Sequence, residues 1–144
     1  MQVTVIGAGL AGSEAALWLA DRGVQVTLYD QKPQKFSPAH KSAGFAELIC
    51  SNSLKAERPD SASGLLKLEM KAMGSHLLAA AETARVAAGG ALAVDRDVFS
   101  AAVTEMVERH PNITVRREEV TALDESAPVL VASGPLTEGA LAQA

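Results

Sequence analysis

The sequence predicts an α/β fold with a largely parallel sheet. Apolar residues 3–6 run into a glycine-rich turn, an alanine- and leucine-rich helix follows, and a second apolar segment, Gln25–Tyr29, comes after the helix. A strand, a helix and a strand in this order normally form a right-handed crossover that puts both strands parallel in one sheet. The chain of 144 residues is long enough for one domain with a buried core.

The predicted helices have recognisable start and stop signals. Residues 10–22 form the first helix, which Gly23 ends, and Asp95 is the expected N-cap of a later helix that Pro111 ends. Between them, residues 61–85 have apolar side chains at helical spacing, which predicts one helix packed against the core. Those apolar positions are Leu66, Met70, Met73, Leu77 and Ala81.

Three short segments near the end of the chain have a strand pattern. Residues 113–117, 120–123 and 128–132 are short, mostly apolar and bounded by polar or turn-forming residues. A doubly wound sheet needs further strands after residue 132, so the sequence predicts a sheet that is apparently incomplete. We expect either that the remaining strands lie outside these 144 residues or that the domain is a naturally short form.

A long excursion follows the second predicted strand. Residues 31–60 contain Pro33, Pro38 and Pro59, which favour an irregular path, although residues 45–50 are compatible with one or two helical turns. Long irregular segments in compact domains are commonly functional. We therefore expect residues 1–144 to belong to one domain with an active-site excursion at about residues 31–94.

Composition and charge narrow the class of protein. The chain is 48% apolar and 21% charged, as folded domains are, and its net charge of −4 disfavours a general polyanion binder. The single cysteine, Cys50, excludes an internal disulfide and suits a reducing compartment. No cationic segment precedes the first strand, and Glu82 and Arg85 interrupt the longest alanine-rich run. These features predict a cytoplasmic protein with no membrane partner.

The glycine-rich turn predicts a dinucleotide site. Gly7 allows a tight turn, Gly9 allows a pyrophosphate to approach the backbone, and Gly12 allows close packing of helix and strand. The other residues of the turn are Ala8, Leu10 and Ala11. Free N–H groups at the helix N-terminus bind a diphosphate without a lysine. Asp30, 18 residues beyond Gly12, ends the second strand and is suited to ribose hydroxyls, which leaves both NAD and FAD possible at this point.

Several segments together resemble one family. The segments GAGLAGSEAA, FAELICSNSL, GLLKLEM, GGALAVDR and SGPLT resemble the folate- and FAD-dependent tRNA (uracil-5-)-methyltransferases, the TrmFO family, which are related to the MnmG/GidA flavoproteins. The resemblance covers nearly all 144 residues and corresponds to the N-terminal third or so of such an enzyme, so the remainder is expected beyond residue 144. It implies a Rossmann-like FAD-binding domain of the glutathione-reductase type.

The resemblance also implies a reaction and its site residues. In the family, a methylene group from 5,10-methylenetetrahydrofolate passes to C5 of a uracil in the T loop of tRNA, with FAD as cofactor and NAD(P)H as reductant, and ribothymidine forms. By position, the glycine turn holds the FAD diphosphate and Asp30, where the family usually has Glu, holds the adenosine ribose. Val120 lies beside the adenine, and Ser133 and Gly134 form a turn close to the cofactor.

Cys50 is the predicted catalytic residue. The segment Cys50-Ser51-Asn52-Ser53 matches a family cysteine near the flavin, and a thiolate there is suited to add to uracil C6 or to act as an acid or base. The family has a second functional cysteine outside this chain, so the division of roles stays open. An isolated cysteine can also be a small buried apolar residue.

Alternative functions stay open from the sequence alone. One is a non-catalytic FAD- or nucleotide-binding module derived from the family, and a weaker one is an NAD-dependent reductase. We expect the 144 residues by themselves to be catalytically incompetent. His40, His76 and His110 share no ligand spacing with Cys50, so we predict no metal site. The basic residues of the excursion either meet tRNA phosphates or form a solvated surface; they are Lys32, Lys35, Lys41, Lys55 and Arg58.

Overall fold

The computed structural model describes residues 1–124 and 126–144. In this part of the chain the strands are β1 (Gln2–Ile6), β2 (Gln25–Tyr29), β3 (Ser53–Ala56), β4 (Arg85–Val86), β5 (Ala91–Val94), β6 (Ile113–Arg116) and β7 (Val129–Val131). The helices are α1 (Leu10–Asp21), α2 (Ala62–Ala72), α3 (His76–Thr83) and α4 (Arg96–Arg109). The strands form two sheets.

The larger sheet is fully parallel and confirms the predicted fold class. Its strand order is β6-β2-β1-β7. Ile6 at the end of β1 pairs with Tyr29 at the end of β2 and with Val131 at the end of β7. The carboxyl ends of these three strands therefore meet at one edge of the sheet, which is where open α/β sheets bind ligands.

Helix α1 covers the parallel sheet as the sequence predicts. Ala16, Leu17 and Ala20 are buried against strand residues such as Val5 and Leu28, which are completely buried. Small alanines let helix and sheet approach closely. The helix is capped at Arg22 and the chain turns away at Gly23, whose φ of +78° lies in the left-handed region that glycine favours.

The smaller sheet is antiparallel and was not predicted. Its order is β3-β5-β4, and the register of β3 against β5 shifts between Ser53 and Ala56. Lys55 lies in this irregular stretch with a φ of +71°, so the strand lacks the regular alternation by which strands are recognised. Next to this sheet, the N–H of Val94 donates to the carbonyl of Asn52, two residues after Cys50.

The prediction of helical turns at residues 45–50 is wrong. The N–H of Phe45 donates to Oγ1 of Thr104, and the N–H of Ala46 donates to the carbonyl of Ala8. Ala46 also has a φ of +50°. Long-range hydrogen bonds therefore replace the local ones that a helix would make, and the segment is irregular, with Phe45 and Ala46 buried in the core.

Residues 61–85 form two helices and not one. Gly74, with a φ of +78°, ends α2, and the Oγ of Ser75 accepts the N–H of Leu78 to cap α3. The predicted core-facing stripe holds for α3, where Leu77 and Ala81 are buried; in α2 it holds for Met70, which packs against the core, and is wrong for Leu66.

Helix α2 turns most of its apolar side chains outward, with Met70 as the exception. Leu66 is 55% exposed and Met73 is 67% exposed, whereas the buried residues of the helix are Gly64 and Lys67. A Cβ at Gly64 would overlap the carbonyl of Arg58, so the helix packs on the chain through its least bulky position. Close backbone contact, and not side-chain burial, fixes the face that α2 presents to the core.

Among the last predicted strands, two are confirmed and one is wrong. Strands β6 and β7 lie within residues 113–117 and 128–132, but residues 120–123 are not a strand. None of the helices in the described parts of the chain has the length and apolarity needed to cross a membrane.

Candidate functional site

A cavity of about 380 Å³ lies at the edge where β1, β2 and β7 end. We call it the cofactor corner; from the predicted cofactor residues it is lined by Gly7, Ala8, Gly9, Leu10, Ala11, Asp30, Val120, Ser133 and Gly134. Gly12 is the predicted cofactor residue that does not line it. Residues from four separate stretches of the chain thus converge on the place that the glycine pattern indicates.

The three glycines have different structural reasons. Gly7 has a φ of +100°, and a Cβ there would lie 2.6 Å from the carbonyl oxygen of Ala132. A Cβ at Gly12 would overlap the carbonyl of Gly7. Gly9 has ordinary φ and nothing within 4 Å of an added Cβ. Protein packing therefore requires Gly7 and Gly12, whereas at Gly9 the missing side chain leaves open space on the cavity side.

The N-terminus of α1 has no side-chain cap. Its N-cap is Gly9, and no side chain accepts the first N–H groups. In contrast, α2, α3 and α4 are capped by the side chains of Ser61, Ser75 and Asp95. Leu10 and Ala11 of the uncapped turn line the cofactor corner. Unbonded N–H groups and the positive end of the helix dipole suit an anionic group at this wall.

Asp30 is held rigidly at the end of β2. Its Oδ2 accepts the N–H of Ala8 at 3.1 Å, and its Oδ1 accepts the N–H of Lys32 at 2.9 Å. The residue is buried. Each carboxylate oxygen can accept a further hydrogen bond, so these two contacts orient the group without exhausting it.

The rim of the cofactor corner carries polar pairs. Lys35 Nζ donates to Glu119 Oε1 at 2.7 Å, and this hydrogen bond raises the pKa of Lys35. The imidazole of His40 lies 2.6 Å from the hydroxyl of Ser37. Ser37, His40 and Glu119 line the cofactor corner, so both pairs lie at or beside it.

Cys50 lies in a neighbouring cavity and not in the cofactor corner. This Cys50 cavity has a volume of about 870 Å³, and Cys50 itself is exposed. Its polar lining includes Lys41, Ser42, Asn52, Arg96 and Asp97. Glu47 and Ile49 line both cavities, so the two sites share a wall.

The basic residues of the excursion are mostly paired. Lys32 is buried and donates to the carbonyl of Gly44 at 2.6 Å. Lys35 pairs with Glu119 and Arg58 with Asp60. Within residues 1–124 and 126–144, the ion pairs of the chain do not include Lys41 or Lys55. Three of the five residues are therefore paired within the chain, and contact with tRNA phosphates and a solvated surface both stay predictions.

Sequence reasoning missed Glu47 and misjudged Lys32. Glu47 lies in the segment FAELIC, in which the resemblance assigns a role only to Cys50. Lys32 was expected on the surface with the other basic residues of the excursion. The two side chains are buried together, with 15% and 7% of their surfaces exposed. A charged residue between apolar neighbours was the available signal, but its partner is remote in sequence.

Two of the three histidines converge on one carboxylate. Nε2 of His76 lies 2.9 Å from Oδ2 of Asp21, and Nε2 of His110 lies 3.1 Å from Oδ1. Nδ1 of His110 accepts the N–H of Asn112, so the proton of the neutral ring is on Nε2 and that nitrogen cannot bind a metal. The part of the chain that the structure describes contains no group of three or more ligating side chains arranged for a metal ion.

The parallel sheet, the crossover helix and the three-glycine turn between them define the class of this domain, a Rossmann-like α/β domain. Over residues 2–140 the chain matches the family model described as glucose inhibited division protein A. The chain belongs to that family.

Named relatives agree with the resemblance to TrmFO. The chain is 57% identical over 141 residues to the methylenetetrahydrofolate–tRNA-(uracil-5-)-methyltransferase TrmFO of Geobacter sulfurreducens, and 51% identical over 144 residues to that of Heliobacterium modesticaldum. These alignments cover 98% and 100% of the chain but 32% and 33% of the relatives. The predicted resemblance is therefore confirmed, and the chain spans about a third of the length of the relatives it matches.

A solved structure supports the fold. The crystal structure of the GidA-related protein from Thermus thermophilus superposes with a TM-score of 0.50 at 21% identity. The match covers 92% of this chain and 52% of the other. At that identity the likeness concerns the fold alone.

Proposed function

We propose that residues 1–144 are the N-terminal part of the FAD-binding domain of a folate- and FAD-dependent tRNA uracil-5 methyltransferase. In this proposal the whole enzyme transfers a methylene group from 5,10-methylenetetrahydrofolate to uracil C5 in the T loop of tRNA, uses NAD(P)H as reductant and acts in the cytoplasm. Residues 31–94 are its active-site excursion. The names of the relatives favour this activity over other uses of the fold.

The observation that carries the proposal is the open space at Gly9. Gly9 has neither a left-handed φ nor a neighbour that a Cβ would touch, so nothing inside the chain requires a glycine there. Close approach of a ligand to the protein backbone explains the glycine, because a diphosphate needs to reach main-chain N–H groups at close range. The uncapped first turn of α1 supplies those groups. The residues present therefore fit the diphosphate of FAD.

The other predicted cofactor residues have consistent roles in this proposal. Gly7 and Gly12 keep the turn and the helix in contact, and Ala8, Leu10 and Ala11 form the wall around the diphosphate. Asp30 accepts the ribose hydroxyls through the lone pairs that its two backbone contacts leave free. Val120 flanks the adenine, and Ser133 and Gly134 close the opposite side. When bound and reduced by NAD(P)H, the flavin would supply the reducing equivalents of the reaction.

Cys50 is the proposed catalytic thiol. It is exposed within a polar cavity that adjoins the cofactor corner, so the uracil of a tRNA can reach the thiol from solvent. Addition of its thiolate to uracil C6 would form a carbon–sulfur bond and make C5 nucleophilic. After C5 has gained its new carbon and lost its proton, the carbon–sulfur bond breaks and the thiolate is released.

A titration with FAD tests the binding part of the proposal. We expect the chain to bind FAD, measured by the change in flavin fluorescence, and Gly9→Val to weaken binding by at least about tenfold, equivalent to 1.4 kcal/mol, because the side chain fills the diphosphate position. The matched control is Gly90→Val, since an added Cβ at Gly90 also has nothing within 4 Å. Equal FAD affinity in the two variants would refute the diphosphate assignment.

The alternative of a non-catalytic binding module makes a different prediction. A binding module takes up FAD but forms no ribothymidine from tRNA, methylenetetrahydrofolate and NADH. Ribothymidine formation by the chain, lost in Cys50→Ser, would exclude the module. A protein that contains these 144 residues and has the full length of the relatives is the second assay. If it binds FAD but forms no ribothymidine, the methyltransferase proposal is excluded.

A further inference from the structure

The wall between the two cavities is tied directly to the glycine turn. Glu47 and Ile49 line both the cofactor corner and the Cys50 cavity. One residue earlier, the N–H of Ala46 donates to the carbonyl of Ala8 at 2.9 Å. Cys50 follows Glu47 by three residues. A displacement of this wall therefore alters both sites.

The carboxylate of Glu47 is bonded on one side only. Its Oε1 accepts the N–H groups of Lys41 at 2.9 Å and Ser42 at 3.1 Å. Its Oε2 is buried and has no hydrogen-bond partner in the part of the chain that the structure describes. Among the buried side-chain oxygens and nitrogens of residues 1–124 and 126–144, it alone is in this state. A buried carboxylate oxygen in this state is costly and calls for a functional explanation.

Lys32 has two acceptors within reach and bonds one of them. Its Nζ donates to the carbonyl of Gly44 at 2.6 Å and lies 3.7 Å from Oε2 of Glu47. A shift of the ammonium by roughly an ångström exchanges one partner for the other, since N–H···O bonds are about 2.9 Å long. Both charges are largely buried, so their separation matters more than that of a surface pair.

Lys32 also connects the wall to the ribose end of the cofactor corner. Its backbone N–H donates to Oδ1 of Asp30, and Oδ2 of Asp30 accepts the N–H of Ala8. One residue thus joins the carboxylate of Asp30 to the carboxylate of Glu47. The chain of contacts runs from the glycine turn to the segment that carries Cys50.

We propose that Glu47 is a positioning residue that links occupancy of the cofactor corner to the placement of Cys50. A ribose hydroxyl that donates to the free lone pair of Asp30 Oδ1 shares that oxygen with the N–H of Lys32 and displaces the Lys32 backbone. The Lys32 ammonium then moves from Gly44 to Oε2 of Glu47, and the completed ion pair holds the shared wall in one arrangement. The inference rests on the proposed function, because it takes the ligand of the corner to be a dinucleotide.

Alkylation of Cys50 in the presence of ADP tests this link. ADP carries the ribose and diphosphate but no flavin ring that could cover the thiol. Cys50 is the chain's one cysteine, so iodoacetamide labelling followed by mass spectrometry reports on it alone. We expect saturating ADP to slow labelling about fivefold, the lower end of common coupling between two sites in a protein, because the ordered wall restricts the thiol.

Glu47→Gln isolates the contribution of the carboxylate charge. The glutamine oxygen still accepts the N–H groups of Lys41 and Ser42, but it forms no ion pair with Lys32. We expect the labelling rate of this variant, measured with its own ADP site saturated, no longer to respond to ADP. Glu105→Gln is the matched control, since Glu105 pairs with Arg109 on an exposed surface, and it should keep the full response.

The outcomes separate the inference from the proposed function. An unchanged labelling rate despite bound ADP, or a full response in Glu47→Gln, would overturn the role of Glu47 and leave FAD binding intact. Failure of both ADP and FAD to bind would overturn the proposed function and this inference with it. If Glu47→Gln does not fold, Lys32→Met removes the other half of the pair and should abolish the response in the same way.

Discussion

The cofactor corner and the Cys50 cavity are built from opposite kinds of parts. The predicted diphosphate wall of the corner is backbone: a glycine turn, an uncapped helix end and the ends of parallel strands. The Cys50 cavity has a lining that includes the charged residues Lys41, Arg96 and Asp97, which come from separate stretches of the chain. A backbone site depends on local conformation, whereas a side-chain site depends on how distant segments pack. The two sites should therefore fail in different ways when they are mutated.

The largest expected effect tests whether the excursion is part of the core. Phe45 is completely buried, Arg117 lies 4.0 Å above its ring, and the carbonyl of Phe45 accepts the hydroxyl of Ser100. We expect Phe45→Ala to lower the free energy of unfolding by about 4 kcal/mol, because truncation of a buried aromatic leaves a cavity. Urea unfolding followed by circular dichroism measures the change.

Phe36→Ala is the matched control for that prediction. Phe36 belongs to the same excursion but is 41% exposed, so its truncation should cost less than about 1 kcal/mol. Similar losses of unfolding free energy for the two variants would mean that Phe45 is not part of the core. The excursion would then differ from the cofactor corner in its stability.

The next effect tests the backbone character of the cofactor corner. Gly12→Ala places a Cβ on the carbonyl of Gly7, and we expect it to lower the free energy of unfolding by about 3 kcal/mol because the helix and the turn have to separate. Gly90→Ala adds the same methyl group in open space and should leave the urea midpoint nearly unchanged. Equal midpoints for both variants would contradict the close packing of α1 on the turn.

Local signals were sufficient to predict the glycine-turn side of the cofactor corner. Strands β1 and β2, helix α1 and the convergence of the glycine turn with Asp30 all follow from signals within 30 consecutive residues. The glycines impose conformations that few other residues adopt, and an apolar strand next to them leaves little choice of topology. Local signals thus specify this wall, whose proposed diphosphate-binding atoms belong to the backbone.

The excursion could not be predicted to the same extent. Residues 45–50 have a helical composition, yet Ala46 bonds to Ala8 and Phe45 to Thr104, 38 and 59 residues away. Helix α2 turns Leu66 outward because Gly64 provides the closest approach to the chain. These choices arise from tertiary contacts that override local preference, so periodicity alone predicts the wrong element or the wrong face.

A third prediction concerns the joint between the two regions. Glu14 of α1 accepts hydrogen bonds from the hydroxyl of Ser75 and from the N–H groups of His76 and Leu77 at the start of α3. We expect Glu14→Ala to cost about 2 kcal/mol in urea unfolding, because a charged acceptor of helix N–H groups is lost. Glu105→Ala removes an exposed pair with Arg109 and should cost only about 0.3 kcal/mol. A Glu14 variant as stable as the Glu105 variant would mean that this carboxylate does not help to hold the two regions together.

The smallest expected effect sharpens the distinction within the excursion itself. Leu66 of α2 and Leu77 of α3 both belong to the helical stripe of the sequence, but Leu66 is 55% exposed and Leu77 only 7%. We expect Leu66→Gln to change the free energy of unfolding by no more than about 0.5 kcal/mol, since the side chain already contacts water. Leu77→Gln should cost several times more, because it buries an amide without a partner. A large loss for Leu66→Gln would show that its side chain packs against another surface in solution, and the assignment of α2 to an outward-facing helix would have to be withdrawn.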